Sequence, residues 1–125
     1  MAFEVQKIDP AQAAYAMQAA GLSAPVNCDT ADQIAANGEC FALTTSQGAC
    51  VFVLRVKGSV LWIDGAGATR PGQGITEAGL ELAEQIARRA GCNQIAFETA
   101  RPGLLRKSKK QGFSIAGYIV KKSIE

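Results

Sequence analysis

Histidine is absent from this 125-residue sequence, and its absence excludes several kinds of chemistry at once. The chain lacks the commonest general base, the commonest metal ligand and every Ser-His or Cys-His nucleophile pair. Its four cysteines, at positions 28, 40, 50 and 92, have neither metal-type nor Cys-x-x-Cys spacing. We therefore predict free thiols and no metal site.

Long apolar runs are also missing. No stretch approaches the roughly 20 residues that a membrane-spanning helix needs. The first twenty residues carry Glu4, Gln6 and Asp9 instead of the continuous apolar segment of a signal peptide. A hydrophobic content of 48% with 19% charged residues is typical of globular proteins. We expect a single cytoplasmic domain over residues 1–125, with no membrane partner.

Charge is divided unevenly along the chain. Residues 1–62 carry three basic and five acidic side chains, whereas residues 63–125 carry ten and six. The densest basic segment contains Arg106, Lys109 and Lys110, which share one face if the segment is helical. Such a face suits a ligand phosphate or simply solvates a helix. Because no aromatic residue is interleaved to stack on bases, we expect any nucleic-acid binding to be weak and non-specific.

The most informative stretch runs from Val60 to Gly91. Residues 60–63 predict a strand, the segment Gly65–Gly74 predicts a glycine-rich turn, and apolar residues then recur at helical spacing. We expect Thr76 to cap this helix. Glycines that lead into a helix direct free backbone N–H groups outward, together with the positive end of the helix dipole. The stretch therefore predicts an anion site.

The rest of the sequence predicts further strands and helices, which together give an α/β fold. The connections between the strands predicted at 39–45, 49–56 and 59–63 are so short that these strands must be antiparallel neighbours. A helical crossover makes the strand at 93–98 parallel to its predecessor. The predicted elements are a strand at 3–8, helices at 10–20 and 31–36, the three strands, the central helix, the strand at 93–98, a helix at 101–111 and a last strand at 113–123. The order β-α-α-β-β-β-α-β-α-β predicts a mixed, mostly antiparallel sheet flanked by helices.

The loop Gly72-Gln73-Gly74-Ile75-Thr76 resembles the pyrophosphate-binding loop of the GNAT superfamily, the acyl-CoA-dependent N-acyltransferases. In that family the loop reads Gln/Arg-x-x-Gly-x-Gly/Ala, and its amides hold the diphosphate of coenzyme A. The central glycine falls on Gly74, with Pro71 and Thr76 at the first and last positions and Arg70 as a neighbouring positive charge. The predicted element order is also that of the family over the whole chain.

Two later segments resemble the family as well. Lys109–Phe113 is similar to its closing Gly-Phe segment, and Arg101–Leu105 is similar to the start of the last helix in short bacterial and phage members. The resemblance implies a GNAT-like domain that uses acetyl-CoA as cosubstrate and acetylates an amine. The implied cofactor contacts are Gly65, Ala66, Arg70, Gly72, Gln73, Gly74, Ile75, Thr76 and Arg101.

The resemblance also implies where the chemistry lies. The sheet is expected to splay between residues 59–65 and 93–98, and a backbone N–H near Gly65 or Gly67 is the implied oxyanion donor. Asp64 and Glu98, each at the end of one of these strands, are the candidate general bases. The family's acid, a tyrosine in the last helix, is replaced here by Ser108.

Two interpretations stay open on the sequence alone. The first is an active acetyl-CoA-dependent N-acyltransferase whose amine acceptor the sequence does not identify. The alternative is a catalytically weak or inactive, phage-related GNAT-like protein that binds coenzyme A or acts as an adaptor. A homodimer is compatible with both.

Overall fold

The computed structural model describes residues 3–21 and 29–124, and nine regular elements follow one another along this part of the chain. The predicted loop at 23–27 and Cys28 lie outside the described residues. The elements are β1 Phe3–Lys7, α1 Pro10–Ala19, α2 Ala31–Ala36, β2 Glu39–Thr45, β3 Ala49–Lys57, β4 Val60–Arg70, α3 Ile75–Arg89, β5 Gln94–Phe97 and α4 Pro102–Lys110.

One five-stranded sheet, in the order β1-β2-β3-β4-β5, organises these elements. The first three pairings are antiparallel: α1 and α2 lie between β1 and β2, whereas short turns join β2 to β3 and β3 to β4. β4 pairs with β5 in parallel because α3 carries the chain across between them. The predicted mixed, mostly antiparallel sheet is confirmed. No helix in the described ranges combines the length and the apolar character needed to cross a bilayer.

Helices cover both faces of the sheet and create two apolar clusters. On one face, α1 and α2 pack through Met17 and Ile34 against Val51 and Val53 of β3. On the other face, α3 packs through residues such as Leu82 against the opposite side of the same strands. The central strand β3 is therefore buried on both faces, and each fully buried aliphatic side chain contributes about 1.5–3 kcal/mol.

Local signals explain where the first two helices begin. Asp9 precedes Pro10, whose fixed φ suits the first helical position, and α1 starts there as predicted. Thr30 caps α2: its Oγ1 accepts from the Gln33 N–H at 3.2 Å, while its own N–H donates to Gln33 Oε1 at 2.8 Å. This reciprocal pair satisfies two backbone donors that a helix start otherwise leaves free.

The glycine-rich segment at the centre of the chain differs from the prediction of a turn. Residues 65–70 continue β4, and Gly65, Ala66 and Gly67 pair with β3. The glycines are needed because α1 and α2 lie close to the strand. A Cβ added at Gly65 would stand 2.9 Å from Met17 Sδ, and one at Gly67 would stand 2.9 Å from the Ala20 Cβ. The glycine signal therefore marks a helix-to-strand contact.

The last predicted strand, at 113–123, is the second difference. The preceding elements occur in the predicted order, but residues 113–124 form no strand. Isoleucine, valine and tyrosine favour a strand there, yet a strand needs a partner for its hydrogen bonds. In the described part of the chain, no strand lies beside this segment.

We expect Gly67→Ala to destabilise the protein by about 1–3 kcal/mol, because the added methyl group displaces α1 from the sheet. Gly79→Ala is the matched control: Gly79 lies within α3 with no atom within 4 Å of an added Cβ, so alanine should stabilise by about 0.5–1 kcal/mol. Urea denaturation measures both free energies of unfolding. Stabilisation by both substitutions would contradict the close contact.

Candidate functional site

The parallel strands β4 and β5 run together for only part of their length. They pair from Val60 to Ile63 on β4, and β4 then continues to Arg70 without β5. A β-bulge marks the point of separation: Leu54 pairs with Ile63 and Val53 with Gly65, so that Asp64 is the extra residue. No strand among the described residues covers the β5-facing edge of residues 64–70. Backbone N–H and C=O groups there are available to a ligand.

A largely apolar cleft of about 410 Å³ opens at this separation, on the α3 face of the sheet. Its size is suited to a small-molecule ligand. Its walls come from β3 (Cys50, Phe52), β4 (Ile63, Ala66, Gly67, Ala68), α3 (Ile75, Thr76, Gly79, Leu80, Ala83) and the segment from β5 into α4 (Phe97, Arg101, Gly103, Leu104, Lys107).

The N-terminus of α3 forms one end of this cleft. The cap is Gly74, with a left-handed φ of 82°, and the prediction of Thr76 as cap is wrong by two positions. Glycine adopts this φ without the steric cost that a side chain brings, so the helix begins at Ile75. The Gly74 carbonyl accepts from the Ala78 N–H at 3.0 Å. The N–H groups of Thr76 and Glu77 lie before this first helical hydrogen bond and therefore have no carbonyl acceptor within the helix. They remain available to an anion.

Arg70 and Gly72 position the loop before α3 through the β2–β3 turn. The Arg70 guanidinium donates to the carbonyls of Thr45 at 2.8 Å and Gly48 at 3.3 Å. A Cβ at Gly72 would overlap the carbonyl oxygen of Gln47. The guanidinium of Arg70 is thus already hydrogen-bonded to the β2–β3 turn. The close approach of this turn is sufficient to explain why residue 72 is a glycine.

The predicted cofactor residues divide into two groups. Ala66, Ile75, Thr76 and Arg101 are brought together in the cleft wall. The cleft wall does not include Gly65, Arg70, Gly72, Gln73 or Gly74. Gly65 faces α1 and α2, Arg70 is the last residue of β4, and the other three belong to the loop that leads into α3.

Sequence reasoning missed the contribution of α4. Gly103, Leu104 and Lys107 all line the cleft, and their spacing along α4 places them on one helical face. The helical spacing of these three residues is the sequence signal that could have identified them. Together with Arg101, Lys107 brings a second positive charge to the cleft, while Arg106, Lys109 and Lys110 are exposed elsewhere.

Asp64 points to the opposite face of the sheet, where it pairs with Arg55. Its carboxylate accepts from Arg55 Nε at 2.7 Å and from Nη2 at 3.2 Å, and its side chain is 12% exposed. The hydrogen bond to Asp64 raises the pKa of the Arg55 guanidinium above its ordinary value. Arg55 also lies 6.0 Å from the centre of the Trp62 ring. These three side chains share the α1/α2 face because Arg55 and Trp62 are cross-strand partners.

Glu98 is exposed to solvent, whereas Ser108 is buried. Glu98 is exposed and follows Phe97, whose ring lines the cleft, so alternation along the extended chain directs Glu98 toward the Asp64 side. It has no ion-pair partner in the described ranges. Ser108 is 1% exposed, and its hydroxyl donates to the Leu105 carbonyl at 2.9 Å within α4. It does not line the cleft.

No protein-family model and no curated protein matches this sequence. Solved structures do match, and the fold of the chain is that of the GNAT superfamily. The ribosomal-protein-alanine N-acetyltransferase from Brucella melitensis biovar Abortus is 15% identical with a TM-score of 0.62, over 98% of this chain and 100% of that one.

Two further matches show the range of proteins with this fold. An aminoglycoside N-acetyltransferase in complex with CoA is 11% identical with a TM-score of 0.58, over 98% of this chain and 95% of its own. A transcriptional regulator from Bacillus halodurans is 17% identical with a TM-score of 0.67, over 98% and 100%. Identities this low establish the fold and leave the activity to be argued from the site.

Burial in the cleft wall raises the pKa of the Cys50 thiol to about 11. Because the thiolate is the reactive form, iodoacetamide should alkylate Cys50 slowly at pH 8 and about tenfold faster per pH unit up to that value. Peptide-resolved mass spectrometry measures the rate, with the urea-unfolded protein as the reference for an ordinary thiol. Equal rates for the folded and unfolded protein at pH 8 would contradict a buried, protonated Cys50.

Proposed function

We propose that the protein is an N-acyltransferase that uses acetyl-CoA as cosubstrate and acetylates an amine, with the cytoplasm as its compartment. The observation that carries this proposal is the cleft at the separation of β4 from β5. It combines an unpaired strand edge, apolar walls and a cationic end in one continuous site. An aminoglycoside N-acetyltransferase with this fold has been solved with CoA, which supports the cosubstrate.

Two parts of coenzyme A, its extended arm and its diphosphate, have chemical matches in this cleft. The amide groups of its extended arm suit the free N–H and C=O groups of β4 beyond Ile63. Its diphosphate suits the N–H groups of Thr76 and Glu77, where the helix dipole adds positive potential. Arg101 and Lys107 supply two full positive charges along the same wall.

The bulge beside Asp64 is the proposed place of reaction. A backbone N–H in the Asp64–Gly65 region donates to the thioester oxygen, whose negative charge grows as the amine attacks the carbonyl carbon. The tetrahedral intermediate then collapses as the carbon–sulfur bond breaks. The leaving group is a thiol, which is far more acidic than an alcohol or an amine, so it departs as a thiolate without strong acid assistance.

The amine reaches the thioester from the α1/α2 face, through the gap between the strands. Asp64 and Glu98 both face that side, where two carboxylates attract an ammonium group and take up its proton. We assign direct base catalysis to Glu98, because Arg55 already occupies both oxygens of Asp64. Asp64 acts through water or by holding the local geometry.

The alternative is a phage-related protein of this fold that binds coenzyme A, or acts as an adaptor, without turnover. Two observations favour it. Ser108 occupies the position of the family's tyrosine acid and uses its hydroxyl inside α4. Arg55 engages Asp64, so that of the two candidate bases Glu98 is the one without an ion-pair partner among the described residues. CoA binding without acetylation of any amine in a broad panel would support this alternative.

Gly74→Glu tests the proposed diphosphate site against Gly74→Gln. Both side chains stand at the same left-handed φ and cause the same backbone strain, but only glutamate adds a negative charge beside the helix N-terminus. We expect calorimetry at low salt to give a CoA Kd at least tenfold higher for the glutamate variant, which corresponds to about 1.4 kcal/mol. Equal Kd values for the two variants would show that the diphosphate does not bind at this end of the cleft.

Glu98→Gln should lower kcat/KM about a hundredfold near pH 7 and much less at pH 9, where the amine is already neutral. Asp64→Asn should have a smaller effect on kcat/KM and should lower stability by roughly 1–3 kcal/mol, because it weakens a charge-assisted hydrogen bond. Glu81→Gln, on the exposed side of α3, controls for the loss of a carboxylate. If kcat/KM of the Glu98→Gln variant equals that of the control at every pH, Glu98 is excluded as the base.

A further inference from the structure

The loop that leads into α3, residues 71–74, packs against the β2–β3 turn, residues 46–48. The contact is made by backbone on both sides. The Gln47 carbonyl oxygen lies against Gly72, and a Cβ at Gly48 would stand 2.9 Å from the Arg70 carbonyl oxygen and 3.3 Å from the Gly72 Cα. Because backbone atoms in such close contact leave no free space, the position of the turn determines the position of the loop.

The hydroxyl of Thr45 fixes the shape of the β2–β3 turn. Thr45 is 6% exposed, and its Oγ1 accepts from the Gly48 N–H at 3.0 Å and from the Gln47 N–H at 3.2 Å. The same hydroxyl donates to the Gly48 carbonyl at 3.2 Å, and the Thr45 N–H donates to that carbonyl at 2.8 Å. One buried side chain therefore satisfies the backbone groups that hold the turn in this conformation.

Arg70 joins this turn to the end of β4. Its Nη2 donates to the carbonyls of Thr45 and Gly48, so that the Gly48 carbonyl accepts from both Thr45 and Arg70. These two bonds are charge-assisted because the guanidinium is always ionised. Arg70 immediately precedes the loop. The loop is thus fixed to the turn at two points, through the Arg70 side chain and through the backbone of Gly72.

We propose that Thr45 and Arg70 are positioning residues for the anion site at the N-terminus of α3. Neither residue belongs to the cleft wall. Both act through the β2–β3 turn on the loop, and thereby on the direction of the N–H groups of Thr76 and Glu77. This inference rests on the proposed function, in which those N–H groups bind the diphosphate of coenzyme A. A loop that is already ordered loses less conformational entropy when the anion binds.

Thr45→Val and Thr45→Ser test the positioning in the protein without ligand. Valine keeps the β-branched shape but removes the hydroxyl, whereas serine keeps the hydroxyl. Hydrogen exchange by NMR should become about tenfold faster in the valine variant at Ile75 and Ala78, whose amides donate to carbonyls of the loop. The serine variant should retain the natural rates. The Ala90 amide, at the other end of α3, is the internal control and should not change in either variant.

The affinity for CoA distinguishes positioning from a direct contact between Arg70 and the diphosphate. By calorimetry, Thr45→Val and Arg70→Met should each raise the Kd of CoA about fivefold. The double variant should raise it by less than the product of the two, because both residues act through one turn. The increase should persist at about 0.5 M salt, where a direct ion pair would be screened. Pantetheine, which lacks the diphosphate, should bind the natural protein and the variants with equal Kd in an NMR titration.

Three results would overturn this proposal. The first is unchanged exchange at Ile75 and Ala78 in Thr45→Val. The second is a loss of CoA affinity in Arg70→Met that disappears at high salt, since Arg70 would then act on the anion through its charge. The third is an equal loss of affinity for pantetheine, which would indicate a distorted cleft. If the natural protein does not bind CoA, the proposed cosubstrate is wrong, and the exchange rates still decide whether the turn positions the loop.

Discussion

The unequal pairing of β4 with its two neighbours is the constraint on which the site depends. β3 pairs with β4 along its whole length, whereas β5 stops at Phe97 while β4 runs on to Arg70. The bulge at Asp64 increases the local twist and lets the strands separate without loss of the pairing with β3. The cleft and the free strand edge both follow from this one mismatch in strand length.

The same mismatch separates charge across the sheet. Arg101 and Lys107 border the cleft on the α3 face, while Asp64 and Glu98 lie toward the α1/α2 face. Under the proposed function, this separation attracts an anionic cosubstrate and a cationic acceptor to opposite sides of the sheet. In the proposed reaction the two reactants meet only where the strands separate.

Glycine serves different purposes at neighbouring positions of this site. Gly67 allows α1 to approach the strand, Gly72 allows the β2–β3 turn to approach the loop, and Gly74 provides the left-handed cap of α3. Of these, Gly74 alone adopts a positive φ. In the sequence, the glycines required by packing cannot be told apart from a glycine that belongs to a phosphate-binding motif. The contacts in the structure distinguish them.

Much of the fold was predictable from the sequence because its signals are local. The boundaries of α2 and β2 match the predicted ones, since a capping pair and alternating polarity act over a few residues. The order of the elements up to α4 also followed from such patterns, and with it the neighbouring positions of β4, which carries Asp64, and β5, which Glu98 follows. Contacts between distant residues decided the rest: β3 makes residues 65–70 a strand, the β2–β3 turn engages Arg70, and Arg55 engages Asp64. Residues 113–124 have the composition of a strand but do not pair with the described sheet, because strand formation requires a neighbouring strand that composition does not supply.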